Sequence, residues 1–472
     1  MERYKGIIPD WPEFLKAMGR PLPLTLRVNT LKVGPGTLKE RLEAKGLKVE
    51  VADWCPILFT VKGVESLGLL LEHFLGLYHV QEASSLLAPM ALEPKPGEVV
   101  LDICAAPGGK ATHIAQLMEN KGTIVANDVQ PRRLSALSGN LSRLGVTNAL
   151  ITAYNGLRFP DVGFRFDRAL VDAPCSGEGN ARKDPKVKGG AEPFYIRWIS
   201  GVQKGLLLRA IDLVKPGGVV VYSTCTFAPE ENEAVVQHAL ERRDVRIEPL
   251  SLPVPHSPGL TEWEGRRFHP DMEGCARIYP HHFDSGGAFV AKLRKLSDEG
   301  RKEGPSFSGG GPAEATGEVA ACVVAMFKER FGVPPERFEG VKFVTKGEDI
   351  WAATASPKIA SLYGKCSSFG IRVAKVEEDG RLRPTDWGLF WLGREVGRNF
   401  IDLSAEALES LLALGSLKVG GARAEEGYVA IRFEGEVVGA GLKRGDTLRL
   451  RMQKARREML LEILRAEGGR RL

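Results

Sequence analysis

The sequence predicts an α/β protein with a central parallel β-sheet, a small α+β domain before it and a β-rich region after it. From Glu98, short β-branched segments alternate with glycine or proline turns and helical segments. That alternation is typical of a parallel sheet covered by helices on both faces. The segments before residue 96 and after residue 318 instead contain short strands separated by turns.

Length and composition agree with a multidomain globular protein. The chain has 472 residues, of which 43% are hydrophobic and 26% are charged. This length predicts two to four domains. We expect a first domain over 1–95, a central domain over 96–296, a linker over 297–318 and a C-terminal region over 319–472. The linker is predicted from its glycine, serine, proline and charged residues.

The predicted elements follow from local patterns. In the first domain, strands are expected at 24–32, 47–52 and 57–61, and a helical run extends from Glu82 to Leu92. In the central domain, strands are expected at 98–103, 123–128, 167–172, 217–225 and 286–294. The segment 427–452 predicts further strands, and a basic helix follows it.

The chain carries no pattern of a secreted or membrane protein. The first residues lack an apolar signal core, and no window approaches the ~20 apolar residues that span a bilayer. Its seven cysteines are all more than 40 residues apart, so close-spaced metal pairs are absent and no metal site is expected. We therefore expect a cytoplasmic protein, a monomer, without a disulfide framework.

The segment EVVLDICAAPGGKATHIAQL combines a buried strand, a glycine turn and the start of a helix. Glycine lets the backbone approach a ligand closely, and a helix N-terminus favours negative charge, so a nucleotide-like ligand is expected here. The turn matches neither the dinucleotide nor the P-loop motif. The next strand ends at Asp128, where a carboxylate can accept both ribose hydroxyls.

Two cysteines each follow a buried strand, Cys175 after ALVDAP and Cys225 after VVVYST. If these strands are neighbours about 4.8 Å apart, both sulfurs lie in one pocket beyond the carboxyl edge of the sheet. Two thiols beside an adenosine-bearing cofactor suit methylation of carbon 5 of a pyrimidine. One thiolate adds to carbon 6 and activates carbon 5, and the second thiol assists release. Asp172 can bind the N3 and amino edge of the ring, and Lys110 can hold that aspartate or lower a thiol pKa.

These residues resemble the Nol/Nop/Sun family of RNA cytosine-5 methyltransferases. CAAPGGK at 104–110, DAPCSG at 172–177 and STC at 223–225 occur in the order and spacing of that family. LRVNTLK at 26–32 and YHVQEASSLLAP at 78–89 extend the similarity upstream. The resemblance implies a Rossmann-like class I methyltransferase domain that uses S-adenosyl-L-methionine.

The resemblance also assigns roles by position. Cys225 would be the nucleophile and Cys175 would assist release. Asn155 stands where the family commonly has an acid near the adenine amino group, which an amide can also bind. The implied cofactor-binding residues are Cys104, Ala105, Ala106, Pro107, Gly108, Gly109, Lys110, Asp128, Asn155 and Asp172.

The C-terminal portion resembles the extension of the RsmF-type 16S rRNA methyltransferases, which ends in a PUA-like RNA-binding barrel. From Lys443 onward there are ten basic and four acidic residues, an excess as large as that of the whole chain, +6. Phosphate contacts are expected from Lys443, Arg444, Arg449, Arg451, Lys454, Arg456 and Arg457. In the first domain, Arg27, Asn29 and Lys32 are expected to form another wall of the RNA groove.

The leading hypothesis is therefore 5-methylcytosine formation in RNA, most readily in 16S rRNA or the small ribosomal subunit. A transfer-RNA substrate remains open, as does a non-catalytic role in RNA binding or ribosome assembly. Methylation of an exocyclic amine is disfavoured because 172–175 is not the Asn-Pro-Pro-aromatic turn of such enzymes. A redox role would require a reversible disulfide between Cys175 and Cys225.

Overall fold

The first part of the chain forms a four-stranded antiparallel sheet with flanking helices. The computed structural model describes residues 1–184, 187, 189–305, 309–421 and 423–468. The elements are α1 (Trp11–Met18), β1 (Thr25–Val28), α2 (Pro35–Glu43), β2 (Lys48–Ala52), β3 (Cys55–Lys62), α3 (Leu71–Phe74), β4 (Tyr78–Val80) and α4 (Leu87–Leu92). The strand order is β2-β3-β1-β4. The helical run expected from Glu82 is a 3₁₀ turn at Ala83–Leu86 followed by α4.

The central sheet has ten strands. The elements are β5 (Val99–Asp102), α5 (Gly109–Leu117), β6 (Thr123–Asn127), α6 (Pro131–Leu144), β7 (Ala149–Thr152), β8 (Phe166–Asp172), α7 (Pro193–Leu213), β9 (Val214–Thr224), α8 (Glu233–Leu240), β10 (Val245–Ile247), β11 (Ser257–Pro258), β12 (Glu262–Trp263), β13 (Arg266–Arg267), β14 (Ala276–Ile278), α9 (Pro280–Phe283) and β15 (Ala288–Lys295). Five parallel strands in the order β9-β8-β5-β6-β7 form its centre, and β15 and β14 continue it in the antiparallel sense. A separate pair joins β12 to β13.

Both faces of the central sheet are buried, as the near-continuous apolar strands predict. Along β5, Leu101 belongs to the core under α7 and α8, whereas Val100 belongs to the core under α4, α5 and α6. This alternation follows from the two-residue period of a strand. The polar residues that follow the parallel strands therefore gather at one edge, where their carboxyl ends lie. The predicted α/β class, with a Rossmann-like mixed sheet, is confirmed.

The C-terminal part adds two five-stranded sheets. The elements are β16 (Ala313–Glu314), α10 (Gly317–Phe331), β17 (Lys342–Lys346), β18 (Asp349–Ala353), α11 (Pro357–Ser361), β19 (Cys366–Phe369), β20 (Ile371–Val376), β21 (Leu382–Pro384), α12 (Asp386–Leu392), β22 (Phe400–Asp402), α13 (Ala405–Leu414), β23 (Ser416–Lys418), β24 (Gly427–Phe433), β25 (Glu436–Arg444), β26 (Thr447–Leu450) and α14 (Lys454–Gly468). One sheet has the antiparallel order β16-β17-β18-β20-β21 and the other the order β22-β24-β25-β26-β23, with β22 parallel to β24.

The division of the chain into domains stays a prediction, and two strands do not follow its predicted boundaries. Strand β19 pairs with β7 and so extends the central sheet, because its backbone satisfies an edge that would otherwise be open. Strand β16 lies inside the predicted linker over 297–318 and pairs with β17. Residues 306–308 of that linker lie outside the described residues. No helix in the described ranges is long and apolar enough to cross a membrane.

The prediction that Arg27, Asn29 and Lys32 line an RNA groove is wrong. Arg27 and Asn29 are only 1% and 2% exposed. The Arg27 guanidinium donates hydrogen bonds to side chains at Gln81, Thr112 and Gln116, which join the first domain to α5. Lys32 Nζ donates to the carbonyl oxygens of Leu75 and Arg143, 3.0 and 2.8 Å away. These polar groups hold two domains together. Arg27 and Asn29 do not face solvent, and Lys32, although partly exposed, uses its ammonium group for two carbonyl oxygens.

The expected phosphate contacts of the last basic segment are only partly available. Arg456 is buried and ion-paired with Asp386, and Arg457 donates to the carbonyl oxygens of Leu412 and Ala413. Lys443 pairs with Glu426. The side chains that stay exposed are Arg444, Arg449, Arg451 and Lys454. Arg470 and Arg471 of this segment lie outside the described residues.

Candidate active site

Cys175 and Cys225 lie together beyond the carboxyl ends of two neighbouring strands. Strands β8 and β9 are parallel partners, and Asp172 is in register with Ser223. The sulfur atoms of Cys175 and Cys225 are 3.2 Å apart, and the Cys225 backbone N–H donates a hydrogen bond to Cys175 Sγ over 3.4 Å. Both thiols are partly buried. The structure thus brings together the two cysteines that the sequence singled out.

The pKa values of the two thiols are shifted in opposite directions. The hydrogen bond with Cys175 lowers the pKa of Cys225, against burial and the Asp172 charge, with help from Lys110 and Asn180. The same hydrogen bond, together with burial, raises the pKa of Cys175 well above the usual thiol range. Of the two thiols, Cys225 is therefore the one that loses its proton more readily. Since the thiolate is the nucleophilic form, Cys225 is the activated member of the pair.

Asn180 is a site residue that the sequence did not reveal. Its Nδ2 donates a hydrogen bond to Cys225 Sγ over 3.1 Å. It lies in the 3₁₀ turn Glu178–Asn180, and the Gly179 N–H donates to the Cys225 carbonyl oxygen over 2.9 Å. The close proximity of Asn180 to the DAPCSG motif was the one feature that could have indicated it.

Buried carboxylates fix the loop that carries Cys175. Glu231 Oε2 accepts from the Ser176 N–H over 2.9 Å and from Gln203 Nε2 over 2.8 Å. Gln203, on α7, also donates to the Pro174 carbonyl oxygen. Glu178 Oε2 accepts from the Tyr4 hydroxyl over 2.7 Å, which links the first residues of the chain to this loop. The loop is therefore held in place by side-chain hydrogen bonds rather than by a regular element.

Lys110 and Asp172 form an ion pair beside the thiols. Lys110 Nζ lies 2.7 Å from Asp172 Oδ2, and the Ser223 hydroxyl donates to Asp172 Oδ1 over 2.9 Å. Burial opposes the charge of Lys110, but the Asp172 carboxylate outweighs it and the pKa of Lys110 is raised. The predicted contact between Lys110 and Asp172 is thus present. It keeps a cation near the Cys225 sulfur.

The glycine turn between β5 and α5 is held closely to the neighbouring strand ends. The Ala105 N–H donates to the Asn127 carbonyl oxygen over 2.8 Å, and Asn127 Nδ2 donates to Ile103 and Tyr154 carbonyl oxygens. Gly108 has a φ of 110°, a left-handed conformation that glycine adopts without strain. The turn therefore presents backbone, with little side chain, at the carboxyl edge of the sheet.

Three carboxylates follow neighbouring parallel strands at this edge. Asp102 is fully buried and neither of its carboxylate oxygens makes a hydrogen bond of good geometry within the described chain. Burial, and next the charge of Asp172, raise the pKa of Asp102 to about 8. Asp128 is 3% exposed, and its Oδ1 accepts a hydrogen bond from the Gln130 N–H. Arg133 Nη1 lies 3.1 Å from Asp128 Oδ2, but outside hydrogen-bond geometry. Carboxylates with spare acceptor capacity suit a ligand that carries cationic groups and hydroxyls.

The remaining predicted residues are placed as follows. Asn155 is exposed, and its Oδ1 accepts from the Leu157 N–H over 3.0 Å, so the side chain caps a 3₁₀ turn. Cys104 is partly buried in the glycine turn, and burial raises its pKa, which makes it a poor nucleophile. Ala105 and Ala106 are buried there with it. Their roles toward a ligand stay predictions.

Sequence comparisons match this architecture. The family model described as 16S rRNA methyltransferase RsmB/F matches residues 89–294, and the N-terminal domain of 16S rRNA methyltransferase RsmF matches residues 1–83. Ribosomal RNA small subunit methyltransferase F of Vibrio campbellii is 32% identical over 456 residues, which is 93% of each chain. The chain belongs to this methyltransferase F family.

Other relatives of this chain are named for different RNA substrates. The 28S rRNA (cytosine-C(5))-methyltransferase of Mus musculus is 45% identical over 292 residues. That match spans 61% of this chain but only 37% of the mouse protein. The tRNA (cytosine(49)-C(5))-methyltransferase of Pyrococcus abyssi is 41% identical over 297 residues, 62% of this chain and 95% of the relative.

Two solved structures from Pyrococcus horikoshii share the fold. A methyltransferase homolog protein is 39% identical, with a TM-score of 0.57, and covers 62% of this chain and 94% of its own. The structure of NSun6 with SFG is 28% identical, also with a TM-score of 0.57, and covers 63% and 97%. About three fifths of this chain therefore shares its fold with these two structures.

Proposed function

We propose that this chain methylates carbon 5 of cytosine in RNA, with S-adenosyl-L-methionine as the methyl donor. The observation that carries the proposal is the Cys175–Cys225 pair, whose sulfur atoms lie 3.2 Å apart beyond the carboxyl ends of two neighbouring strands. A pyrimidine carbon 5 is a poor nucleophile until a thiolate adds to carbon 6. The pair places two thiols at the same point, and the pKa of Cys225 is the lowered one. The Mus musculus and Pyrococcus abyssi relatives, both named as RNA (cytosine-C(5))-methyltransferases, support the same chemistry.

Cys225 is assigned to the attack on carbon 6, which makes carbon 5 nucleophilic. Asp172 is assigned to the N3 and amino edge of the cytosine. As a carboxylate it accepts a hydrogen bond from the amino group, and in its protonated form it gives its proton to N3, which neutralises the negative charge that develops as the carbon–sulfur bond forms. Lys110 holds Asp172 in position through their 2.7 Å ion pair. The target base must leave its stack to reach this edge of the sheet.

Cys175 is assigned to the release step. In this step the carbon 5 proton leaves and the bond between Cys225 and carbon 6 breaks, which restores the ring double bond and the Cys225 thiolate. In the adduct the Cys225 sulfur is a neutral thioether, so the hydrogen bond that raises the pKa of Cys175 in the free chain is lost. Cys175 then passes its own proton to solvent, which it reaches because the thiol is only partly buried. It then accepts the proton from carbon 5 as a base.

The residues at the carboxyl edge fit S-adenosyl-L-methionine, which supplies an electrophilic methyl group when bound. The buried, unpartnered oxygens of Asp102 and the acceptor atoms of Asp128 suit its cationic and hydroxyl groups. The turn from Cys104 to Lys110 would hold the cofactor from one side, with Asn155 and Asp172 beyond it. SFG, the ligand named for the Pyrococcus horikoshii structure, is an analogue of this donor.

Small-subunit ribosomal RNA is the proposed substrate because the relative that matches along 93% of both chains is named for it. The transfer-RNA alternative rests on the Pyrococcus abyssi relative, which matches only 62% of this chain. The regions before residue 96 and after residue 318 are proposed as RNA-binding domains, the latter as a PUA-like domain. Bisulfite sequencing of total RNA with and without the gene would separate these substrates, and a changed site in transfer RNA alone would contradict the ribosomal assignment.

The decisive experiment compares cysteine variants in a radiolabelled methyl-transfer assay. Cys225→Ala should abolish methylation while cofactor binding stays near the wild-type level. Cys175→Ala should accumulate a covalent adduct between protein and RNA, seen as a slow-migrating band in a denaturing gel. The double variant should show no band, and Cys322→Ala, which removes an exposed thiol on α10, should retain activity. Full activity of Cys225→Ala would refute the assigned nucleophile.

A further inference from the structure

Three aromatic side chains at the start of α7 face solvent. Phe194 is 74% exposed, Tyr195 40% and Trp198 56%. Their spacing places them on one side of the helix. The ring centroids of Tyr195 and Trp198 are 5.7 Å apart, with planes inclined by 40°. All other large apolar side chains that are exposed in the described ranges are aliphatic. We name Phe194, Tyr195 and Trp198 the aromatic face.

The aromatic face is held in position from beneath. Ile196 and Ile199, on the opposite side of the same turns, are buried. Ile196 packs in a cluster with Tyr4, Phe14 and Phe227. The helix therefore cannot rotate to bury the three rings without exposing this cluster. Such pre-organised aromatic surface costs little ordering when a flat ligand stacks on it.

The helix that carries the aromatic face also contacts the loop of the catalytic cysteines. Gln203, five residues after Trp198, donates to the Pro174 carbonyl oxygen over 2.9 Å, one residue before Cys175. One helix therefore connects the aromatic face with the thiol pocket.

The charge around the aromatic face suits an anionic polymer. Within α7 as far as residue 208 the only charged side chains are Arg197 and Lys204, and both are basic, whereas the exposed Glu192 lies at the N-cap of the helix. The first acid of the helix is Asp212, which is buried and paired with Arg243. Exposed aromatic rings beside cations are the usual platform for unpaired nucleotides, because every base offers a π-face.

We propose that the aromatic face stacks unpaired bases of the substrate RNA that flank the target cytosine. This inference rests on the proposed function and extends it to the recognition of single-stranded RNA beside the extruded base. Trp198 and Tyr195 supply the stacking surface, and Arg197 supplies contact with phosphate. An apolar protein partner or a second copy of the chain is disfavoured because the surface is small and includes the exposed cation Arg197.

The first test measures steady-state kinetics on an RNA that the wild-type chain methylates. Trp198→Ala and Tyr195→Ala should each raise KM for RNA about 5-fold to 100-fold, with kcat little changed. Trp198→Phe, which keeps a ring, should recover most of the loss. Leu296→Ala, which removes a 46% exposed apolar side chain directly after β15 and outside both proposed RNA-binding domains, is the matched control and should leave KM unchanged.

A second test identifies the contact itself. Each nucleotide beside the target is replaced in turn by an abasic one. At the stacked position the abasic RNA should raise KM for the wild type but add nothing further in Trp198→Ala. Additive effects at every position, or an unchanged KM in the Tyr195→Ala/Trp198→Ala variant, would overturn the proposal. If the variant also loses self-association, the face is an interface between copies of the chain instead.

Binding without methyl donor keeps this inference separate from the proposed function. Single-stranded oligoribonucleotides should quench the tryptophan fluorescence of the wild type, and Trp198→Phe should lose that part of the quenching while six of the seven tryptophans remain. Quenching by RNA in a chain that forms no 5-methylcytosine would refute the proposed function alone. Equal quenching in the wild type and Trp198→Phe would refute the stacking contact alone.

Discussion

The amide of Asn180 donates a hydrogen bond to the sulfur of Cys225 across 3.1 Å, although 45 residues separate them in the chain. It acts with the Cys175 thiol, which approaches the same sulfur at 3.2 Å. Two neutral donors and the nearby Lys110 ammonium thus stabilise a thiolate whose own burial opposes charge. The reactivity of Cys225 is therefore set by its neighbours rather than by exposure to solvent.

Removing the amide should weaken the nucleophile. A hydrogen bond to a charged group contributes about 1.5–3 kcal/mol, and Asn180→Val removes one that lowers the pKa of Cys225, so this pKa should rise. Because the thiolate is the reactive form, the acidic limb of the activity profile should move to higher pH as well. The pH dependence of iodoacetamide modification at Cys225 measures this directly. An unchanged profile would mean that the amide does not stabilise the thiolate.

Lys110 and Asp172 should shift the same thiol in opposite directions. Lys110 lowers the pKa of Cys225 and Asp172 raises it. Lys110→Met should therefore move iodoacetamide modification of Cys225 to higher pH, and Asp172→Asn should move it to lower pH. Both variants should lose methylation, since Asp172 is assigned to the base edge. Shifts of the same sign in both variants would contradict the assigned electrostatics.

Arg456 should matter for stability rather than for RNA binding. Its guanidinium carbon lies 4.0 Å from the ring centroid of Trp387 and 4.3 Å from that of Phe390, and the group pairs with buried Asp386. Arg456→Ala leaves that carboxylate unpaired, so the free energy of unfolding should fall by about 3–5 kcal/mol. Exposed Arg444→Ala should change it by less than about 0.5 kcal/mol.

The same two variants separate stability from RNA affinity. Urea unfolding monitored by circular dichroism gives the first quantity, and the slope of RNA affinity against salt gives the second. If Arg444 contacts phosphate, only Arg444→Ala should reduce that slope. A reduced slope in a folded Arg456→Ala protein would show that the buried guanidinium contributes to phosphate binding after all.

Lys32 should make stability depend on pH. Burial first, and then repulsion by Arg143, lowers its pKa from 10.5 to about 7. Between these values the folded chain has released the proton and the unfolded chain still holds it, so the free energy of unfolding rises with pH. Lys32→Met lacks this contribution and should show a flatter dependence in that window. Unfolding in urea at several pH values tests it, and equal slopes in both proteins would contradict the assigned pKa.

Much of the site was predictable because its determinants are local. Short segments of the sequence are enough to predict the β-branched strands and the glycine turn from Cys104 to Lys110. They also show that Cys175 and Cys225 each follow the end of a buried strand. The parallel sheet then had to bring those segments to one edge. The proximity of Lys110 to Asp172 followed in the same way.

The sequence by itself thus determined the α/β class, the strand-ending turn and the two thiols, since period and turn chemistry are written in adjacent residues. Only the tertiary structure decided that Asn180 reaches Cys225, that Arg27 and Lys32 join domains, and that Arg456 is enclosed by rings. A side chain's charge is visible in the sequence, but its partner and its solvent exposure depend on segments far away in the chain.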